Sequence, residues 1–101
     1  MEELKESLIR GEWDKYQFSE ISNQLKDWEL GECIWKNLLS ADDKVKAFEQ
    51  IKKTIPFSNF VTLVWAYYDK DYDKDEDFKG YNFKLLANIF SKEEFKAFFR
   101  S

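Results

Sequence analysis

The sequence predicts an all-α fold: a compact single-domain bundle of five to seven short helices with an acidic inter-helix loop. Two observations carry this. Apolar residues recur at helical spacing in successive segments, for example Phe18, Ile21, Leu25 and Trp28. Two Ser-led capping patterns, Ser40-Ala-Asp-Asp and Ser91-Lys-Glu-Glu, precede apolar stripes.

Taken in order, Glu2 to Ile9 carries Leu4, Leu8 and Ile9 on one face and is ended by Gly11. The second helix is expected from Asp14 to Trp28, with Asp14 as its cap and Gly31 as its terminator. The third, Glu32 to Leu39, places Ile34, Trp35, Leu38 and Leu39 together. The fourth opens at Ser40, carries Val45, Phe48, Ile51 and Ile55 inward, and stops at Pro56, which lacks an amide proton. Lys52 and Lys53 suit the negative end of its dipole.

Phe57 to Tyr68 is β-branched and aromatic enough to read as a strand. A lone strand among helices has no pairing partner, so a buried helix capped near Ser58 is expected. Asn82 caps a sixth helix with Leu85, Leu86, Ile89 and Phe90 inside. A full capping box from Ser91 to Glu94 starts the last, with Phe95, Phe98 and Phe99 inward.

Of the four tryptophans, Trp28, Trp35 and Trp65 are expected in the core. Trp13 is either a staple onto the second helix or an exposed anchor.

The net charge is local. Between Asp69 and Asp77 stand six acids and two lysines, a balance of −4, while the other 14 acids and 14 bases cancel. Neither regular conformation suits this run. As a helix it stacks Asp69, Asp73 and Asp77 at i, i+4, which repel. As a strand it lines five aspartates along one face at about 6.6 Å intervals. A solvated loop from Asp69 to Gly80 is the cheaper state, and a cationic partner relieves the repulsion.

Composition narrows the chemistry. At 101 residues, 44% of them apolar, the chain makes one domain, residues 1–101, with a real core. A single cysteine, Cys33, excludes an internal disulfide and a multi-cysteine metal site. There is no His, so the commonest general base and imidazole ligand are missing. Cys33 has no basic neighbour before Lys36 and reads as a buried hydrophobe. The glycines form no phosphate loop.

Calcium fits poorly. With Asp71, Asp73 and Asp75 at EF-hand positions 1, 3 and 5, Glu76 replaces the turn glycine and Asn82 the bidentate glutamate. No catalytic residue, metal or cofactor is expected, and the chain is not read as an enzyme. The acidic N-terminus has no signal-peptide character, and no apolar run approaches a membrane span, so a cytoplasmic protein is expected. A pI near 4.9 disfavours direct binding to nucleic acid or anionic membrane.

Function is therefore sought in protein binding. Acidic residues Asp69, Asp71, Asp73, Asp75, Glu76 and Asp77, interleaved with Tyr68, Tyr72 and Tyr81, form a candidate surface. Carboxylates stand where phosphates would on a basic groove, and rings stack or pack on guanidinium groups. The expectation is a small acidic inhibitor, a nucleic-acid mimic of the immunity-protein or phage-inhibitor kind, that occludes a basic site on another protein. The alternative is a structural or regulatory helical module with an apolar contact surface, in which the acidic run only aids solubility. Oligomeric state is left open.

Overall fold

The computed structural model describes residues 2–70 and 84–100, and among these every regular element is helical. In chain order they are α1 (Glu2–Ile9), a 3₁₀ turn (Trp13–Lys15), α2 (Phe18–Gln24), α3 (Asp27–Ser40), α4 (Lys44–Thr54), α5 (Phe57–Lys70), α6 (84–89) and α7 (Lys92–Arg100). The all-α expectation holds, and the strand-like segment 57–68 lies within a helix.

Gly11 closes α1. At φ +93° it lies in the left-handed region, its N–H donating to Leu8 O (2.9 Å) and that of Glu12 to Ser7 O (3.1 Å). This paired pattern satisfies carbonyls that the helix end leaves open.

The expected helix from Asp14 to Trp28 is broken twice, at Tyr16 and Leu25, both extended (φ −131° and −121°). Asp14 therefore sits in the 3₁₀ turn and caps nothing. α2 starts after Gln17, whose N–H donates to the Glu20 carboxylate (3.2 Å), and α3 starts after Lys26, whose N–H donates to Glu29 (3.0 Å).

Gly31 does not terminate a helix. It lies inside α3, where this helix makes its most extensive packing, against α5. A Cβ at Gly31 would lie 2.8 Å from the Leu63 carbonyl carbon and 2.9 Å from Tyr67 Cβ. The backbones meet so closely that only glycine fits.

Ser40 is likewise the last residue of α3 rather than the cap of the next helix; its hydroxyl donates to Asn37 O (3.3 Å). Asp43 caps α4 through Oδ1, which accepts from Lys46 N–H (3.0 Å). The Lys44 ammonium donates to Leu38 O, Leu39 O and Ala41 O at 2.9–3.1 Å, closing the end of α3 with a positive charge. α5 begins directly after Pro56, whose carbonyl accepts from Phe60 N–H (2.9 Å), so Ser58 lies within the helix instead of at its cap. The capping box of α7 is complete: Ser91 N–H donates to Glu94 Oε1 (2.8 Å) and Glu94 N–H to Ser91 Oγ (3.1 Å).

The core is aromatic. Phe48, Phe60, Phe90 and Phe98 are buried, with ring centroids 5.2–5.9 Å apart in edge and tilted contacts that suit the ring quadrupole. Leu85, Leu86, Ile89 and Phe90 are buried as expected. Trp35 is buried too, and Trp13 is wholly so, its Nε1 donating to Asn37 Oδ1 at 2.9 Å. Trp13 is thus a core residue, settling the choice between staple and exposed anchor.

Other expectations need correcting. Trp28 and Trp65 are half-buried rather than core. Val45, expected inward, is 51% exposed; Phe95 and Phe99 are 36% and 45% exposed, and only Phe98 of α7 is buried.

Candidate functional site

Of the candidate partner-binding residues, Tyr68 and Asp69 are described, at the end of α5. Asp71, Tyr72, Asp73, Asp75, Glu76, Asp77 and Tyr81 lie outside the described residues, as does the Asn82 cap. Tyr68 is half-buried and meets Trp65 edge-on, with centroids 5.1 Å apart. Asp69 is exposed.

Trp65 joins this end of α5 to α7. Its indole stacks on Phe98 (5.0 Å, 26°) and its Nε1 donates to Phe98 O (3.1 Å). That carbonyl is among the last four of α7, which have no partner within the helix. Burying the ring while directing its N–H at this helix end explains why Trp65 is only half-covered. Phe99 meets the same indole edge-on at 6.4 Å, and Phe95 lies 4.8 Å from Phe99. Three rings, Trp65, Phe99 and Phe95, therefore run from the end of α5 across α7.

Asp69 follows Trp65 by one helical turn. With Thr62 and Ala66, the two line an open groove of about 550 Å³. An aromatic ring and a carboxylate one turn apart suit a cationic side chain, which packs on the ring and pairs with the acid. Lys70 turns elsewhere: its ammonium lies 5.0 Å from the centre of the Trp28 ring, near which Lys5 also sits at 5.7 Å. Lys5 is paired with Glu29 at 2.8 Å. The hydrogen bond with Glu29 raises the Lys5 pKa, and the same bond lowers that of Glu29.

The exposed Phe95 and Phe99 are the residues that the sequence reading missed. A signal was present. Phe95 and Phe99 are four apart and share a stripe, while Phe98 lies to one side of it. Lys92, Lys96 and Arg100 repeat the same spacing in the adjacent stripe. With Glu94 turned to Lys52 of α4 (2.8 Å), α7 buries the Phe98–Glu94 side.

Cys33 is buried with its thiol pushed up to about 11, by desolvation first and by neighbouring Glu32 second. Among the described residues, no group of three His, Cys, Asp or Glu side chains is placed to hold a metal ion. No described helix is long and apolar enough to cross a membrane. A larger open groove of about 720 Å³ lies between α4 and α6, lined by Asp42, Asp43, Lys44, Val45, Lys84, Leu85, Asn88 and Ile89. Its mixed charges point to no particular ligand.

Comparison with protein-family models, curated proteins and solved structures gave no significant match.

Proposed function

We propose that this protein is a small acidic binding protein that inhibits another protein by occluding its basic, nucleic-acid-binding or catalytic surface. The supporting observation is the placement of Asp69. The first acid of the −4 run lines one groove with the Trp65 ring, so the acidic sequence begins where aromatic surface is already exposed. Carboxylates steer a basic partner into encounter, and rings then hold its cationic side chains. Such a protein needs neither cofactor nor catalytic group. An intracellular setting, where a lone thiol stays reduced, suits this reading.

The test starts with capture from the native source, using two baits: the natural chain, and a variant with Asp71, Asp73, Asp75 and Asp77 all replaced by Asn. The expected partner has a basic surface, is retained by the natural chain and is lost from the variant. With that partner purified, the variant should associate more slowly and with little salt dependence. Equal association rates for both chains at low salt overturn the proposal.

The exposed Phe95 and Phe99 favour a second reading, a helical interaction module with an apolar contact surface. Capture would then persist at high salt and in the four-Asn variant, and would be lost on changing Phe99.

A further inference from the structure

Lys92, Lys96 and Arg100 stand four residues apart on α7, so they rise along one side of the helix in steps of about 6 Å. Phe95 and Phe99 form the neighbouring stripe at the same step. All five residues are exposed. Among the described residues none of the three cations takes part in an ion pair. Glu94 is turned to Lys52 of α4, which leaves Glu93 as the exposed acid of this helix.

Where α6 approaches the start of α7, Ala87, Phe90, Ser91, Lys92, Phe95 and Lys96 line an open groove of about 440 Å³. Two phenyl rings and two lysines thus meet at one concave site. Charge complementarity selects the occupant. Three cations and two rings against one acid suit a ligand with carboxylates beside apolar side chains. A helix with acids at i, i+4 and i+8 presents them at the same step of about 6 Å as the α7 cations. An apolar stripe next to those acids then meets Phe95 and Phe99 and places a side chain in the groove. A bilayer surface is too broad to enter that groove. A long polyanion is repelled by a chain whose net charge is −4.

We infer that the α7 face, with the groove at its start, docks an acidic amphipathic helix of another protein. This groove shares no lining residue with the one formed by Trp65 and Asp69, and docking here does not require the proposed inhibition. It deepens the second reading, resting on it for the contact made by Phe95 and Phe99, and names the charge of the partner.

Two synthetic helical peptides serve as probes in fluorescence anisotropy. Both carry leucine at i, i+4 spacing; the adjacent stripe is Glu in one and Gln in the other. At low salt the natural chain should bind the Glu peptide about tenfold or more tightly than the Gln peptide, and the gap should narrow as salt is raised. Lys96→Glu/Arg100→Glu should abolish that preference. Lys46→Glu/Lys53→Glu changes the net charge equally, at exposed positions of α4, and should keep it. Phe99→Ser should weaken both peptides. Circular dichroism confirms that each variant is folded, and Lys96→Gln/Arg100→Gln serves if the charge reversal unfolds α7. Equal binding of the two peptides, lost in Phe99→Ser, keeps the apolar module and overturns the acidic partner. A Glu peptide that does not bind up to high micromolar concentration at low salt overturns the inference, as does a Glu preference that survives reversal of the α7 charges. Vesicles of phosphatidylcholine and phosphatidylserine are the competing surface. If they are bound through Lys96 and Arg100 and the Glu peptide is not, the partner is a lipid surface and the inference fails.

Discussion

Gly31 in α3 lies directly against the main-chain carbonyl of Leu63 in α5. The two helices meet backbone to backbone, and the contact makes a prediction whose sign is diagnostic. On helix propensity alone, Gly31→Ala should stabilise by about 1 kcal/mol. Here the added methyl meets a carbonyl that cannot move without shifting α5. We expect destabilisation by about 3 kcal/mol, the upper range for overpacking. Urea unfolding of the two chains checks it, and a more stable variant would show that the helices are not so close.

Asn37 ties three parts of the chain together. It accepts from Trp13 Nε1 (2.9 Å) and donates through Nδ2 to Ile9 O (3.1 Å). Asn37→Leu keeps similar bulk but leaves a buried donor and an acceptor without their partner. The expected cost is about 2–6 kcal/mol, since each such group costs about 1–3. In that background Trp13→Phe removes the orphaned donor, so its further cost should fall below that of Trp13→Phe in the natural chain. A double-mutant cycle with zero coupling would contradict the bond's importance.

The Lys52–Glu94 pair links α4 to the start of α7 and gives stability a pH dependence. Burial alone would raise the Glu94 pKa, but hydrogen bonds from Lys52 and from the Ser91 N–H outweigh it and the net shift is downward from 4.5. Burial likewise opposes the charge of Lys52, and the bond with Glu94 overcomes it, for a net rise above 10.5. A depressed carboxylate contributes stability that is present above its unfolded pKa and lost as pH falls through the folded one. The raised lysine contributes below about pH 10.5 and loses that contribution as pH rises through its folded value. Melting temperature should therefore decline below about pH 4.5 and again in strong alkali. Glu94→Gln should flatten the acid limb in part, with a cost near neutrality of about 1 kcal/mol or less. Glu12 and Glu29, also shifted downward, should keep the rest of that limb.

Cys33 should be nearly inert in the folded protein. It is buried, with its thiol near 11, and the Sγ lies 3.9 Å from Lys5 O. Thiolate is the reactive form, so labelling by a small disulfide reagent at pH 8 should be very slow and should complete promptly in denaturant. Fast labelling of the native chain would mean that α1 opens from α3 readily.

Local chemistry was enough for much of the fold. The spacing of Leu4 and Leu8, of Phe48, Ile51 and Ile55, and of Leu85, Leu86 and Ile89 found faces that are buried. The Ser91–Glu94 box was legible because all of its partners lie within four residues of one another. The acidic run, and its placement directly after an aromatic helix, were legible from composition alone.

What sequence left open was decided by contacts between distant residues. Leu25 suits the middle of a helix by spacing, yet is extended, and Gly31, six residues on, packs inside α3 against Leu63, 32 positions away, instead of ending a helix. Trp13 is buried because Asn37, 24 positions away, accepts its N–H. Phe95 and Phe99 look like core by hydropathy, but α7 is placed by Phe98 against Trp65 and by Glu94 against Lys52, which turns the other two phenylalanines outward. Periodicity names the residues able to be buried. Which of them are buried depends on the rotation of each helix about its axis, and only tertiary packing sets that rotation.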